Sequence, residues 1–121
     1  MDIDSLRAYC LEKPGTAADF PFGDDVLALR VGKKIFALVA LDGTSPRVNL
    51  KCDPFLAMEL RERYRSFTPG YHMNKAHWNT VALGGDVPDR ELNAMIDHSY
   101  EIVLKGLTCR ERDAIAARTV E

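Results

Sequence analysis

The sequence predicts an α+β domain in which helices cover one side of a mostly antiparallel sheet. A two-residue turn joins two apolar runs, as in a β-hairpin, and three other segments carry apolar residues at helical spacing. The order of elements, helix, three strands, helix, strand and helix, lacks the regular strand–helix alternation typical of parallel sheets. With 121 residues, 46% of them apolar, the chain is long enough for one core.

The N-terminal segment is predicted to be a helix. Its apolar residues at helical spacing are Ile3, Leu6 and Cys10. Asp2 or Asp4 is placed to cap its first turn, and the helix should end at Pro14. An extended stretch over residues 17–22 follows, and we expect the Phe22 ring to be buried where that stretch ends.

Three strands follow in the predicted sheet. Residues 26–31 and 34–41 are joined by a tight turn at Gly32, and residues 47–51 form the third strand after a loop at 42–46. Alternation along the third strand places Val48 and Leu50 on one face and Lys51 on the other.

The second half of the chain contains two further helices and one strand. Asp53 followed by Pro54 is a typical helix start. Residues 78–83 are the strand, and a long helix runs from residue 88 to about residue 106. Ser99 and Tyr100 lie on its apolar side, where their hydroxyls should bond to backbone or to the loop that precedes the strand at 78–83. His98 should face solvent. We divide the chain into a single domain over 1–107 and a tail, 108–121, with a capping box that indicates a short helix.

Composition excludes several classes of protein. A formal net charge of -2 and a pI of about 5.9 argue against strong non-specific nucleic-acid binding. No apolar run reaches the roughly 20 residues of a membrane span, and the N-terminus lacks the features of a signal peptide. Three widely spaced cysteines indicate neither a disulfide framework nor a zinc site. We therefore expect a cytoplasmic protein with no membrane association.

Several short motifs resemble those of the YjbR/MmcQ family of small bacterial proteins, over most of residues 3–107. The most specific is the cluster P-G-Y-H-M-N-K-A-H-W-N-T-V at 69–81. Supporting motifs are P-F-G at 21–23, G-K at 32–33 with Phe36, K-C-D-P at 51–54, V-P-D at 87–89 and S-Y at 99–100. The resemblance implies a CyaY-like (frataxin-like) α+β fold and a DNA-binding role described as a double-wing motif. The tail after Leu107 lies outside the shared pattern.

The resemblance, together with the residue types of the 69–81 cluster, implies a non-enzymatic binding module whose partner is DNA. The expected surface comprises Lys51, Arg65, His72, Asn74, Lys75 and Trp78, with Lys33 and Lys34 as outlying phosphate contacts. Cationic side chains suit phosphates, asparagine and histidine bond to phosphates or base edges, and an indole can stack on a base. Arg61 joins this set if the second helix, the third strand and the 69–81 cluster lie together. We expect no catalytic residue, no metal and no cofactor.

Two other interpretations stay open. The first is a small-molecule or enzymatic site formed by Lys51, His72, Lys75 and His77, with a Cys52 thiol whose pKa Lys51 lowers. The second is a structural or protein-interaction domain in which Trp78 fills the core while Asn74 and Asn79 form turns. The sequence is compatible with a monomer or a weak dimer, and it identifies no protein partner.

Overall fold

Ten helices and strands make up the described part of the chain, which is residues 1–41, 46–70 and 73–119 of the computed structural model. The helices are α1 (Ile3–Leu11), α2 (Pro54–Arg63), α3 (Asp89–Lys105) and α4 (Cys109–Thr119). The strands are β1 (Thr16–Asp19), β2 (Val26–Val31), β3 (Lys34–Ala40), β4 (Arg47–Lys51), β5 (Phe67–Pro69) and β6 (Trp78–Ala82). None of the described helices is long and apolar enough to cross a membrane.

The strands form one sheet in the order β1-β2-β3-β4-β6-β5, and every neighbouring pair is antiparallel. The predicted α+β class with an antiparallel sheet is confirmed. The structure adds two edge strands to those predicted. β1 occupies part of the stretch predicted as extended, and β5 lies between α2 and β6, where no strand is predicted. A three-residue strand that ends in Pro69 carries too little pattern to be predicted, and proline is tolerated there because β5 is an edge.

The helix ends follow the predicted capping. The Asp2 carboxylate accepts a hydrogen bond from the Ser5 amide, at 2.8 Å. The Asp53 carboxylate accepts from the two amides at the start of α2, each at 3.1 Å. Thr108 and Glu111 exchange side-chain to backbone hydrogen bonds before α4, which is the predicted capping box. These starts are local, so the sequence predicts them well.

The core lies between the helices and one face of the sheet. Val48 and Leu50 are buried, whereas Lys51 faces the opposite side, as the alternation of β4 predicts. The buried side of α2 contacts the same inner face, because the Asn79 side-chain amide donates to the Ala57 carbonyl at 3.4 Å, and Asn79 pairs with Leu50. Cys10 of α1 and Ile115 of α4 belong to the same buried cluster.

The other side of the sheet carries no described helix, and we call it the open face. Its larger side chains, given by strand alternation and register, are Val26, Arg30, Ile35, Leu38, Arg47, Asn49, Lys51, Trp78 and Thr80. This arrangement agrees with the prediction that the helices pack on one side of the sheet.

A β-bulge in β3 turns Phe36 inward. Leu29 pairs with Ala37 but Arg30 pairs with Ile35, so Phe36 is an extra residue on β3. Its ring is fully buried and meets the Tyr100 ring edge-on, with centroids 5.4 Å apart.

Ser99 of α3 bonds to the backbone of two strands beside this bulge. Its hydroxyl donates to the Phe36 carbonyl at 2.6 Å and accepts from the Lys51 amide at 2.9 Å. The prediction that this hydroxyl bonds to backbone is confirmed. The Ser99 side chain therefore holds the backbone of Lys51, the last residue of β4, in position.

Replacing Ser99 with alanine should lower the free energy of unfolding by about 2 kcal/mol, because two backbone groups lose their shared partner. Urea denaturation monitored by circular dichroism measures the change. The matched control is Ala94→Ser, which places a hydroxyl on an exposed position of the same helix and should cost less than about 0.5 kcal/mol. Equal stabilities of Ser99→Ala and the control contradict this role for Ser99.

Two predictions about side-chain exposure are wrong. The Phe22 ring is 65% exposed, because the loop between β1 and β2 leaves the helix-covered side of the sheet. His98 does not simply face solvent: it is half-buried, and its Nε2 accepts a hydrogen bond from the Asp53 amide at 3.1 Å. That bond links α3 to the start of α2, which are 45 residues apart in sequence.

Candidate nucleic-acid interface

Lys51 and Trp78 form a cross-strand pair at one end of the open face. β4 ends at Lys51, β6 begins at Trp78, and the two residues are register partners. Asn79 and Val81 take the inward positions of β6, so Trp78 must point to the other side. The interpretation that Trp78 fills the core is therefore wrong: the indole is half-buried on the open face.

Gly70 allows the chain after β5 to pass close to the backbone of Trp78. Its amide donates to the Trp78 carbonyl at 2.9 Å, which continues the β5–β6 pairing by one residue. A Cβ on Gly70 would lie 2.7 Å from the Cβ of Trp78 and 3.0 Å from its carbonyl oxygen. Only glycine fits this close approach of the two backbones.

A tight turn over residues 74–77 leads into Trp78. The Asn74 side-chain oxygen accepts from the Ala76 amide at 3.0 Å, and the Asn74 carbonyl accepts from the His77 amide at 3.1 Å. The His77 carbonyl accepts from the Cys52 amide at 2.7 Å, which fixes the turn to the end of β4. The side chains of Lys75 and His77 are exposed. Asn74 is thus a turn former, and Lys75 lies on the same turn near Trp78.

Arg61 of α2 holds this turn from the helix side. Its guanidinium donates to the Asn79 side-chain oxygen at 2.6 Å, to the Trp78 carbonyl at 3.3 Å and to the Lys75 carbonyl. Arg61 therefore bonds to the protein and positions Lys75 and Trp78 instead of serving as a surface cation. Asn79 is 1% exposed in the middle of β6, so its interpretation as a turn former is wrong. No sequence signal distinguishes Arg61 from Arg63, the other arginine of α2.

The rest of the open face mixes apolar residues, such as Ile35 and Leu38, with polar and charged ones. Arg30 pairs with Asp19 at 3.2 Å and donates to the Lys33 carbonyl at 2.9 Å. In the middle of the face, the Thr80 hydroxyl donates to the Asn49 side-chain oxygen. The charged side chains that strand alternation assigns to this face are Arg30, Arg47, Lys51 and Asp19, which makes the face net positive although the chain is net negative.

Arg65 does not join Lys51. The Arg65 amide donates to the Asp86 carboxylate at 2.8 Å, and the next residue, Ser66, accepts from the Ala82 amide through its carbonyl. Ala82 ends β6, four residues from Trp78, so Arg65 and Lys51 lie about 13 Å apart along the strands. The expectation that these two cations converge is wrong. The pairing of β5 with β6 sets the position of Arg65, and β5 is not predicted from the sequence.

The predicted outlying contacts, Lys33 and Lys34, belong to the hairpin tip between β2 and β3. The Lys34 ammonium donates to the Gly106 carbonyl at 3.2 Å, on the helix side of the sheet. Lys33 is exposed and lines a cleft of about 530 Å³ that Glu111 of α4 also lines. Lys34 is therefore not part of the open face, and the backbone of the tip packs against the C-terminal part of the chain.

The predicted contact His72 and its neighbour Tyr71 lie outside the described residues. The structure therefore positions only Lys51, Lys75 and His77 of the alternative small-molecule or enzymatic site, which also includes His72.

The described residues give this alternative no activated thiol. Burial raises the pKa of the Cys52 thiol to about 11, with the Asp53 charge adding to the shift, so the lowered pKa expected from Lys51 is wrong. Within 1–41, 46–70 and 73–119, no three histidine, cysteine or acidic side chains are grouped as a metal site would require.

Three comparisons place the chain among known proteins. The YjbR family model matches residues 11–102. Protein YjbR of Escherichia coli K12 is 37% identical over 101 residues, covering 84% of this chain and 86% of that protein. Protein YbdF of E. coli O157:H7 is 34% identical over 119 residues, covering 95% and 98% respectively. The crystal structure of the Deinococcus radiodurans protein DR2400, with a DUF419 domain, superposes with a TM-score of 0.87 at 39% identity, covering 94% of this chain and 87% of that one.

Proposed function

This chain belongs to the YjbR family, and we propose that it is a binding module, not an enzyme, that binds DNA through the Lys51 end of the open face. The observation that carries the proposal is the cross-strand pair of Lys51 and Trp78 on a sheet face that no described helix covers. An ammonium group and an indole side by side suit a phosphate and a base respectively.

The electrostatics support binding that is weak and sensitive to salt. Few cations lie near the pair: Lys75 is on the adjoining turn, and Arg61 is held by backbone and Asn79. With two or three phosphate contacts, the logarithm of the binding constant should fall with the logarithm of salt concentration with a slope of about -2 to -3.

The proposal is tested by titrating the protein against fluorescein-labelled DNA at about 50 to 200 mM salt, with fluorescence anisotropy as the readout. Lys51→Gln, which keeps most of the side-chain stem, should weaken binding about fivefold and make the slope shallower by about one unit, because one phosphate contact is lost. Lys105→Gln is the control, since it removes an equal charge from an exposed position on α3. Its binding should match that of the unmodified protein.

Absence of binding at the lowest salt, to either single-stranded or duplex DNA, overturns the proposal. Equal weakening by Lys51→Gln and Lys105→Gln also contradicts it, because binding would then depend on overall charge and not on the open face.

A further inference from the structure

We infer that the open face takes single-stranded DNA in preference to duplex DNA, with one base stacked on Trp78. This inference rests on the proposed function and specifies the form of the ligand. It is carried by the shape of the face, the position of the indole and the distribution of charge.

The shape of the face does not suit a duplex groove. Readers of the major groove insert a helix or a two-stranded ribbon. Helices α1, α2 and α3 contact strands of the sheet, α4 joins the same buried cluster through Ile115, and the open face is formed by strands. The hairpin tip at Gly32 is not free to enter a groove, since a Cβ there would lie 3.2 Å from Leu107. Among the described residues, then, the open face presents a platform and no projection.

The indole lies where a base can reach it. Trp78 is half-buried at the first residue of β6, and its register partner Lys51 lies beside it. An extended strand exposes both its bases and its phosphates to such a surface. Paired bases in a duplex are stacked within the helix and cannot reach a flat face, so the indole distinguishes the two forms.

The charge distribution favours a polyanion over a second copy of this chain. The open face carries Arg30, Arg47 and Lys51 against Asp19, which pairs with Arg30. Two copies joined through this face would bring like charges together, whereas a strand of phosphates complements them. Asn49 and Thr80 in the middle of the face are buried and hydrogen-bonded to each other, so the exposed cations are the groups that distinguish the two occupants.

The test uses the fluorescence of Trp78, the only tryptophan of the chain. The probes at about 50 mM salt are a 20-nucleotide oligothymidine, a 20-base-pair duplex and an abasic 20-mer that keeps the phosphates but lacks bases. We expect the oligothymidine to quench the fluorescence and to bind about tenfold more tightly than the duplex or the abasic strand, as expected from loss of one stacked base.

Two variants separate stacking from folding. Trp78→Leu should lose the preference for oligothymidine over the abasic strand, whereas Trp78→Phe keeps an aromatic ring and should retain most of it. Circular dichroism and thermal unfolding establish that both variants are folded, and anisotropy replaces fluorescence as the readout. If Trp78→Leu does not fold, two other measurements test the stacking of a base. One is the preference of Trp78→Phe for oligothymidine over the abasic strand, and the other is the same comparison in the unmodified protein.

The outcomes for this inference and for the proposed function are distinguishable. Duplex binding as tight as single-strand binding overturns this inference and leaves the proposed function standing. Equal binding of the abasic strand, or binding without a change in fluorescence, overturns the stacking of a base on Trp78. A stable dimer in light scattering whose open face is shielded from hydrogen exchange overturns both, because a second copy then occupies the face.

Discussion

Phe36→Ala should lower the free energy of unfolding by about 3 to 5 kcal/mol, the largest loss we expect from one substitution in this chain. Phe36 is the largest of the fully buried side chains, and its ring meets Tyr100 edge-on. Its removal leaves a cavity between β3 and α3 at the bulge that turns this ring inward. Urea denaturation with circular dichroism measures the loss.

Phe55→Ala is the matched control for Phe36→Ala. The Phe55 side chain is 84% exposed on α2, so the same substitution should change stability by less than about 0.5 kcal/mol. A loss below about 1.5 kcal/mol for Phe36→Ala contradicts the close packing of this ring, since it falls well under the range for buried aromatic residues.

Stability should fall steeply as the pH rises from about 9 to about 12. Burial raises the pKa of the Cys10 thiol from 9.0 to about 12. Below pH 9 the thiol keeps its proton in both the folded and the unfolded chain. Between these values the unfolded chain releases the proton while the folded chain holds it, so the free energy of unfolding decreases. A shift of this size corresponds to about 4 kcal/mol for Cys10.

Other groups act in the same direction and window. The pKa of Cys52 is raised to about 11 and that of Tyr9 to about 12, both mainly by burial. A hydrogen bond to Asp97 contributes for Tyr9, whose hydroxyl donates to that carboxylate at 2.7 Å. Together these groups make the alkaline loss larger than any one of them does alone.

The pH prediction is checked with urea titrations at pH 8, 9, 10 and 11. Cys10→Ala should be less stable at pH 8 because of the lost packing, but its stability should decline less with pH. Cys109→Ala, at an exposed thiol, should decline as the unmodified protein does. Parallel pH curves for Cys10→Ala and the unmodified protein contradict a buried, protonated thiol.

Much of the fold is local in origin and was therefore predictable. The starts of α1, α2 and α4 depend on capping residues within three positions of the helix. The alternation in β4 separates Leu50 from Lys51 through strand geometry alone. The candidate site was partly predictable for the same reason, since Lys51 ends one strand and Trp78 begins another.

The rest of the fold and of the candidate site depends on contacts between residues that are distant in sequence, and no local sequence pattern encodes these contacts. Arg61 reaches Asn79, which is 18 residues away, and Ser99 bonds to Phe36, which is 63 residues away. β5 has only three residues, and β3 carries a bulge at Phe36. Each feature changes which side chains face the core, and secondary-structure propensity does not specify this. Hence the expectation that Arg65 and Lys51 converge is wrong.

By itself, the sequence determined the α+β class, the helix starts and the faces of β4, because short-range sterics, capping and alternation fix these features. Only the tertiary structure decided that Trp78 lies beside Lys51 on an open face while Arg61 turns inward. Those positions are set by the register between strands that are distant in sequence. They are also set by the hydrogen bonds that buried polar groups must form.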